Sequence, residues 1–496
     1  RLMAIVILII YVLAITLLVL YCLTQLSLAI HYLNYKKRLR DEQHLEPLKM
    51  EDAATFPTVT VQLPIYNELY VIERLIDAVA VFEYPANKLD IQVLDDSTDE
   101  TVDVVAARVA YWKEKGVQIE QVRRVDRKGF KAGALQEGLK TAKGEFVAIF
   151  DADFIPASDF LLQTVPYFND DKVAVVQTRW EHLNKDYSIL TKIQAFALDM
   201  HFRVEQSGRN SAGYFMNFNG TAGLWRVAAI QDAGGWMSDT LTEDLDLSYR
   251  AQLKGWKFRY VETIASPAEL PTDMNAVKSQ QYRWNKGGAE TARKIGYRVL
   301  VAQLPLKVKL HAIAHLFNTT NYIFIFLTAI LSVPLLLIKN TYVDINFFRY
   351  ASVFLIGSIS IGFAYFIATR QGEDSARHTW GTFIRRFPIF LAITMGLSLH
   401  NARAVFKGWL GQKSAFIRTP KFNIVGKEGI WKNKQYVPTK ISAITYLEGL
   451  FCLYFMGGIF LAFYYGDYGL LPFHLMAAFG FGLIFYFSLK HSRYKA

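Results

Sequence analysis

Glu145-Phe-Val-Ala-Ile-Phe-Asp-Ala-Asp153 is the stretch whose reading decides the fold. Its apolar run is too short for a typical helix, and it passes straight into two carboxylates and then Pro156, so it predicts a buried strand over 145–150 that stops in a turn. On either side the same grammar repeats. Thr58-Val-Thr-Val-Gln-Leu63 predicts a strand, residues 71–82 a helix, 90–94 a strand, 101–115 a helix and 173–177 a further strand. Such alternation, running from about Phe56 to Leu270, implies a mostly parallel sheet with helices on both faces. In open sheets of that kind, ligands bind beyond the carboxyl ends of the strands.

Acidic residues stand at those ends. Asp95 and Asp96 close the second strand, and Asp151 and Asp153 close the buried one. Turn chemistry alone accounts for either pair. The Asp-Ala-Asp spacing also has a chemical use, because two carboxylates two residues apart can place oxygens on one hard cation. Mg²⁺ or Mn²⁺ shared between carboxylates and substrate phosphates is the usual arrangement. Gly129-Phe-Lys-Ala-Gly133, ahead of a helix, suits either a phosphate contact or a plain surface turn. There is no Walker A sequence and no G-x-G-x-x-G. His182 and His201 stand alone and read as structural.

Two later motifs complete the set. Thr242 is a predicted N-cap for the run Leu245, Leu247, Tyr249, Leu253, which ends at Gly255, and this puts Glu243 and Asp244 in an exposed first turn. The helix dipole favours acids there whether or not they do chemistry. Gln280, Arg283 and Trp284 stand at i, i+3 and i+4, so a helix presents them on one face. A guanidinium grips a diphosphate and an indole offers a flat surface to a sugar ring, although a core-anchoring Trp fits the same spacing.

Of the 496 residues 52% are hydrophobic, and they collect at the two ends of the chain. Residues 2–30 carry no charge and are followed by Lys36, Lys37, Arg38 and Arg40, which reads as a membrane-spanning helix and not a removable leader. Further spans are predicted over 310–338, 350–369, 449–466 with its upstream flank, and 468–489. Between Asn401 and Lys440 lie nine Lys or Arg and a single Glu. The positive-inside rule therefore places the centre, this segment and the C-terminus in the cytoplasm and the N-terminus outside. Residues 387–399 are apolar but too short for a span, and read as an amphipathic helix at the cytoplasmic interface. Topology thus explains the net charge of +11, and a nucleic-acid partner is not expected. Cys22 and Cys452 fall inside spans and imply neither a disulfide framework nor a zinc site. His311, His315, Asn318, Asn321 and His474 either line a polar path or bond neighbouring helices.

Jointly and in this order, Asp95-Asp96, Asp151-Ala-Asp153, Thr242-Glu-Asp244 and Gln280-x-x-Arg-Trp284 resemble the signature of processive family 2 glycosyltransferases, the group of the cellulose, chitin and hyaluronan synthases. The resemblance extends to Gln62-Leu-Pro-Ile-Tyr-Asn-Glu68, Lys131-Ala-Gly133, Phe218-Asn-Gly-Thr-Ala-Gly223, Gly234-Gly-Trp236 and Leu253-Lys-Gly-Trp256. In these blocks the chain is most similar to cellulose-synthase-like proteins that make glucomannan or the xyloglucan backbone. Phe416-Ile-Arg-Thr-Pro-Lys421 resembles the family's gating loop, with Arg418 where valine is usual.

The resemblance implies an α/β glycosyltransferase A-type, Rossmann-like cytoplasmic domain embedded in an α-helical transmembrane protein with about five spans. Its implied parts are an N-terminal span (1–31), the transferase domain (32–300), a pair of spans (301–370), an interfacial helix with gating loop (371–443) and a last pair of spans (444–496). It further implies that Asp95, Asp96, Lys131, Gln280, Arg283, Thr419 and Lys421 bind the nucleotide sugar, and that Asp151 and Asp153 hold Mg²⁺ or Mn²⁺. Asp244 would be the base, with Trp284, Asn219, Gly220 and Thr221 toward the acceptor. The donor is expected to be UDP-glucose first and GDP-mannose next. The acceptor is a growing β-linked polysaccharide, with a membrane lipid as the alternative, and an accessory subunit or homo-oligomer is compatible with either. The expected location is an inner, plasma or Golgi-type membrane. A non-catalytic scaffold is disfavoured, because every acid the chemistry needs is present.

Overall fold

Period-two burial builds the sheet. Seven strands, β1 (Val59–Ile65), β2 (Leu89–Asp95), β3 (Ile119–Val122), β4 (Phe146–Ile149), β5 (Val173–His182), β6 (Gly223–Arg226) and β7 (Lys257–Ala268), lie in the order β3-β2-β1-β4-β6-β5-β7. Strand β6 is antiparallel to both of its neighbours, and every other pairing is parallel. In β4 the residues Phe146 and Ala148 enter one apolar core and Val147 and Ile149 the opposite one. Helices Ile72–Ala80 and Thr101–Glu114 cover the first face, and Phe130–Gly138 and Glu243–Leu253 the second. A sheet buried on both faces explains why β4 reads as a continuous apolar run, while β1 and β2 bury Thr60, Gln62 and Gln92 as well. This computed structural model describes residues 1–39, 45–342, 351–372, 375–438 and 441–494.

The expected strands and helices form within a few residues of their predicted bounds, and three strands join them. Short β6 opens on Gly223, where a Cβ would stand 2.6 Å from the Val176 carbonyl, so glycine is required for it to approach β5. The carboxyl ends of β1, β2 and β4 converge, and the acids predicted to close them stand at one rim of the sheet.

Among the described residues six helices are long and apolar enough to cross a membrane: Leu2–Arg38, Asn318–Thr341, Ala351–Arg370, Ala376–Trp409, Ala443–Tyr465 and Leu471–His491. The sequence predicts five. The sixth is Ala376–Trp409, which runs well beyond residues 387–399 at both ends and, at 34 residues, is about 51 Å long. It is packed, not surface-lying. A Cβ on Gly480 would fall 1.8 Å from the Ala392 carbonyl, so this helix and Leu471–His491 touch backbone to backbone. The predicted span over 310–338 is broken, with helix Leu306–Leu316 separated from Asn321–Thr341 by a short turn of 3₁₀ helix. Arg40, Tyr350 and Lys440, which entered the prediction of spans and charge bias, lie outside the described residues.

Polar groups in the helical region bond across elements. His474 Nε2 and Ser332 Oγ are 3.0 Å apart, and His315 Nδ1 and the Tyr249 hydroxyl 2.8 Å. The bundle is tied to helix Met274–Val301 by Lys278, whose ammonium donates to Glu448 at 2.8 Å with both side chains buried.

Candidate active site

Three segments far apart in sequence close one cleft over the strand ends, with a free volume of about 160 Å³. The floor comes from the turns after β1, β2 and β4. One wall is helix Met274–Val301 against the turn that opens helix Glu243–Leu253, and the roof is the segment around Phe416–Lys421.

The wall is held by backbone proximity. A Cβ on Gly287 would lie 2.6 Å from Thr242 Cγ2 and 2.8 Å from its backbone nitrogen, so this glycine lets the long helix press on the Thr242 turn. The Leu241 N–H donates to Glu290 at 2.9 Å, and the Thr242 and Thr291 hydroxyls are 3.1 Å apart. Thr242 does occupy the N-cap position, but its hydroxyl is used across this contact and makes no cap bond. For the same reason Glu243 is buried, not exposed as predicted, and Asp244 is enclosed with it. Gln280, Arg283 and Trp284 all line the cleft from the one helical face that their spacing requires.

After β2 and β4 each cleft acid meets a base. Asp96 forms a two-pronged pair with Arg124. Lys131 donates to Asp151 at 2.5 Å and to the Gly220 carbonyl at 2.9 Å. Lys421 donates to Asp153 at 2.6 Å and to the Glu269 carbonyl. Burial works against the charge of Lys131, yet Asp151, Glu243 and Asp244 outweigh it and leave its pKa raised. Asp151 and Asp153 are hard oxygen donors that still face the cleft, which fits a divalent cation completed by substrate phosphates. Among the described residues no cluster of three or more metal-binding side chains exists, so a cation here would depend on those phosphates.

Asp244 differs. It accepts from the Leu245 N–H at 2.8 Å and has no ion-pair partner among the described residues. Burial first, and the charge of Glu243 second, push its carboxyl up to about 7 against the opposing pull of Lys131. Gly220, at φ +80°, allows the acceptor-side loop to approach, since a Cβ there would sit 3.0 Å from Asp244 Oδ2. Such a carboxylate is suited to taking a proton near neutral pH.

Two predicted site residues stay outside the lining. Asp95 is buried, its oxygens taken by the Ser97 N–H and Gln121 at 2.9 and 2.7 Å and approached by Arg123 at 3.4 Å, so it braces the turn. Thr221 is also buried, its hydroxyl accepting from the Asp151 N–H at 2.9 Å. Asn219 and Gly220 do line the cleft, as do Thr419 and Lys421.

Residues 57–287 match a family model described as glycosyltransferase like family 2. Glucomannan 4-beta-mannosyltransferase 9 of Arabidopsis thaliana is 36% identical over 414 residues, which cover 81% of this chain and 74% of that one. The chain belongs to the family 2 glycosyltransferases of the cellulose synthase superfamily. A probable glucomannan 4-beta-mannosyltransferase 4 of Oryza sativa subsp. japonica is 47% identical over 253 residues, 50% of this chain and 46% of its own. For such rice relatives the chain spans about half the length of the curated protein it matches. Among solved structures, the mannosyltransferase PcManGT from Pyrobaculum calidifontis in complex with GDP-Man and Mn²⁺ aligns with a TM-score of 0.52 at 19% identity, over 82% of this chain and 100% of that one. That likeness is one of fold, and with the family it makes the sheet-bearing part of this glycosyltransferase a glycosyltransferase A-type, Rossmann-like domain.

Several residues that shape this glycosyltransferase's cleft carry no local signal. Arg127 lies 3.3 Å from the centre of the Tyr66 ring, and Phe416 stacks on Phe130 at 5.8 Å with Arg283 4.7 Å from its own ring centre. Glu68, held in the first motif, pairs with Arg418 at 3.1 Å, and burial pushes its carboxyl up to about 7. His201 is not isolated: its ring bonds Glu205 at 2.7 Å and the Asn219 side chain at 2.9 Å, within a single π-helical turn, Met200–Glu205. An irregular turn beside a site is the one clue of that kind.

Proposed function

We propose that this protein is a membrane-embedded, inverting mannosyltransferase that extends a β-linked polysaccharide from GDP-mannose. The observation that carries the proposal is the division of one cleft into a side where every acid is neutralised and a side where Asp244 stands without a cationic partner. A single displacement needs that division. Asp244 removes the proton of the acceptor hydroxyl as its oxygen bonds the anomeric carbon, and the bond to the diphosphate breaks on the opposite face. An α-linked donor then yields a β-linkage.

Arg283 and Lys131 stand where they would balance charge on the departing diphosphate, and electrostatic stabilisation of that kind commonly contributes more to an enzyme's rate enhancement than any other effect. Asp151 and Asp153 would hold Mg²⁺ or Mn²⁺, which supplies further Lewis-acid stabilisation of the leaving group when bound. Trp284 would stack on the terminal sugar of the acceptor, with Asn219 and Gly220 opposite it.

The donor is where the expectation changes. UDP-glucose rested on resemblance alone, and the names of the relatives favour GDP-mannose. Passage of the product across the membrane through the helical bundle belongs to the same proposal.

Purified protein in lipid, given radiolabelled GDP-mannose, UDP-glucose and UDP-N-acetylglucosamine in parallel with Mg²⁺ or Mn²⁺, tests it. Long chains sensitive to β-mannanase from GDP-mannose are expected. Incorporation from UDP-glucose only would overturn the donor, and a short lipid-soluble product would replace polymer by glycolipid.

A further inference from the structure

The roof of the cleft holds an unused recognition device. Arg418, which stands where the family's loop usually has valine, has a side chain only 13% exposed; among the described residues Nη2 has no hydrogen-bond partner, and Nη1 has an ion pair with Glu68 but no well-aligned hydrogen bond. Leaving buried guanidinium N–H groups without a hydrogen bond is costly, so Nη2, and Nη1 beyond its ion pair, call for acceptors that the described residues do not supply. Its ion-pair partner Glu68, 3.1 Å away and 14% exposed, likewise has Oε2 without a hydrogen bond. Both side chains line the cleft.

Their orientation is fixed from behind. The guanidinium lies 4.0 Å from the centre of the Tyr436 ring, and the Tyr436 hydroxyl donates to Asp99. Tyr436 holds φ at +78° and Asn67, next to Glu68, at +55°, conformations a non-glycine residue keeps only where its surroundings impose them. Glu68 follows β1 and Asp99 follows β2, so the pair stands over the β1/β2 rim. Asp151 and Asp153, where phosphates would bind, follow β4, and Asp244 lies beyond them toward the acceptor loop. In a sheet of this order the β1/β2 rim is the end left for the nucleoside.

We infer that Arg418 and Glu68 form a nucleobase selector that reads guanine. The guanidinium donates to O6 and N7, the commonest Arg pairing with that base, and the carboxylate accepts from N1–H and the 2-amino group. These edges adjoin on the purine ring, so two side chains already 3.1 Å apart reach both at once. Uracil offers a carboxylate one N–H between two carbonyls, and offers the guanidinium one carbonyl in place of an O6/N7 fork. The inference rests on the proposal of a GDP-linked donor and names the residues that would enforce it.

The test is equilibrium binding to the full chain in lipid nanodiscs with Mg²⁺, using GDP, UDP, 7-deaza-GDP, which lacks the N7 acceptor, and IDP, which lacks the 2-amino group. Wild type should prefer GDP over UDP, and should bind 7-deaza-GDP and IDP more weakly than GDP. Arg418→Val should weaken GDP about 5- to 100-fold, the span of one bidentate base contact, while UDP changes by less than about 3-fold. It should also erase the penalty for 7-deaza-GDP, as Glu68→Gln should erase the penalty for IDP. Equal weakening of GDP and UDP in Arg418→Val, or wild-type binding blind to both analogues, would overturn the selector and leave the pair as a loop latch. The analogue series needs no variant to fold. Wild-type preference for UDP would instead overturn the donor proposal and the selector with it, whereas preference for GDP with blind analogues overturns the selector alone.

Discussion

The two halves of the cleft handle acidic side chains in opposite ways. On the donor side Asp96, Asp151, Asp153 and Glu68 each meet a Lys or Arg within 3.1 Å. On the side proposed for the acceptor Asp244 and Glu243 are enclosed side by side, and among the described residues the Asp244 carboxylate accepts only from the Leu245 N–H. A neighbouring base favours the charged form of a carboxylate, although at Glu68 burial outweighs it, and enclosure beside a like charge disfavours that form, as at Asp244. Under the proposed function the first group would bind the donor and the second would take the proton.

Removing the acceptor-side base should break the comparison most severely. Asp244→Asn keeps the shape of the side chain and removes the base, and should lower the turnover number by about 10³-fold or more while the Kd for GDP changes by less than about 3-fold. A scaffold protein would tolerate that change. If GDP binding falls as far as turnover, Asp244 belongs with the binding acids and the division is wrong. Arg283→Ala comes next. Losing one charge-stabilising donor should cost about 10²- to 10³-fold in turnover, read by single-turnover kinetics at saturating donor.

How much of this division was legible in the sequence depends on the range of the contacts. Strands β1, β2 and β4 were legible because each is a short run rich in Val, Ile and Leu bounded by turn residues, β4 being apolar on both faces while β1 and β2 also bury Thr60, Gln62 and Gln92. Strand β7 was not, because Lys257, Arg259 and Glu262 interrupt its pattern and Pro267 stands near its end. The acids were legible as residue types at strand ends. Their partners were not: Lys421 reaches Asp153 across 268 residues, and no local pattern records such a pairing. Asp95 shows the converse, because its place beside Asp96 gives no sign that it faces Gln121 and the bracing turn. Glu243 and Asp244 looked exposed for a related reason, since the cover comes from helix Met274–Val301, held on by Gly287, in a different part of the chain. Helix Ala376–Trp409 was underestimated because its polar ends, legible only as breaks in hydropathy, continue as helix against other helices.

Trp284 sharpens the comparison within one helix. It stands one residue beyond Arg283 and both line the cleft, yet the proposal gives the guanidinium to the donor and the indole to the acceptor. Trp284→Ala should shorten the product and lower incorporation about 10-fold, with GDP affinity within about 2-fold, as expected from the loss of one aromatic platform worth roughly 1 kcal/mol or a little more. Equal loss of elongation and GDP binding would return Trp284 to the donor side.

The smallest effect tests the cause of the raised Asp244 pKa. A base acts when deprotonated, so with its carboxyl near 7 the value of kcat/KM should rise about tenfold per pH unit below 7 and level off above it. Burial is the larger cause and survives substitution of a neighbour. The charge of Glu243 is the second cause, and it acts to raise. Glu243→Gln should therefore move the acid limb to lower pH without removing it, so that activity relative to the plateau increases at pH 6. Lys131 acts in the opposite sense, which makes its substitution by Met a control: the limb should move to higher pH, together with weaker GDP binding. Opposite displacements of one limb by two neighbours of opposite charge identify the group between them as the one that titrates. A limb that stays fixed in both variants assigns the titration to a group elsewhere, and Glu68, also raised to about 7, is then the first to substitute.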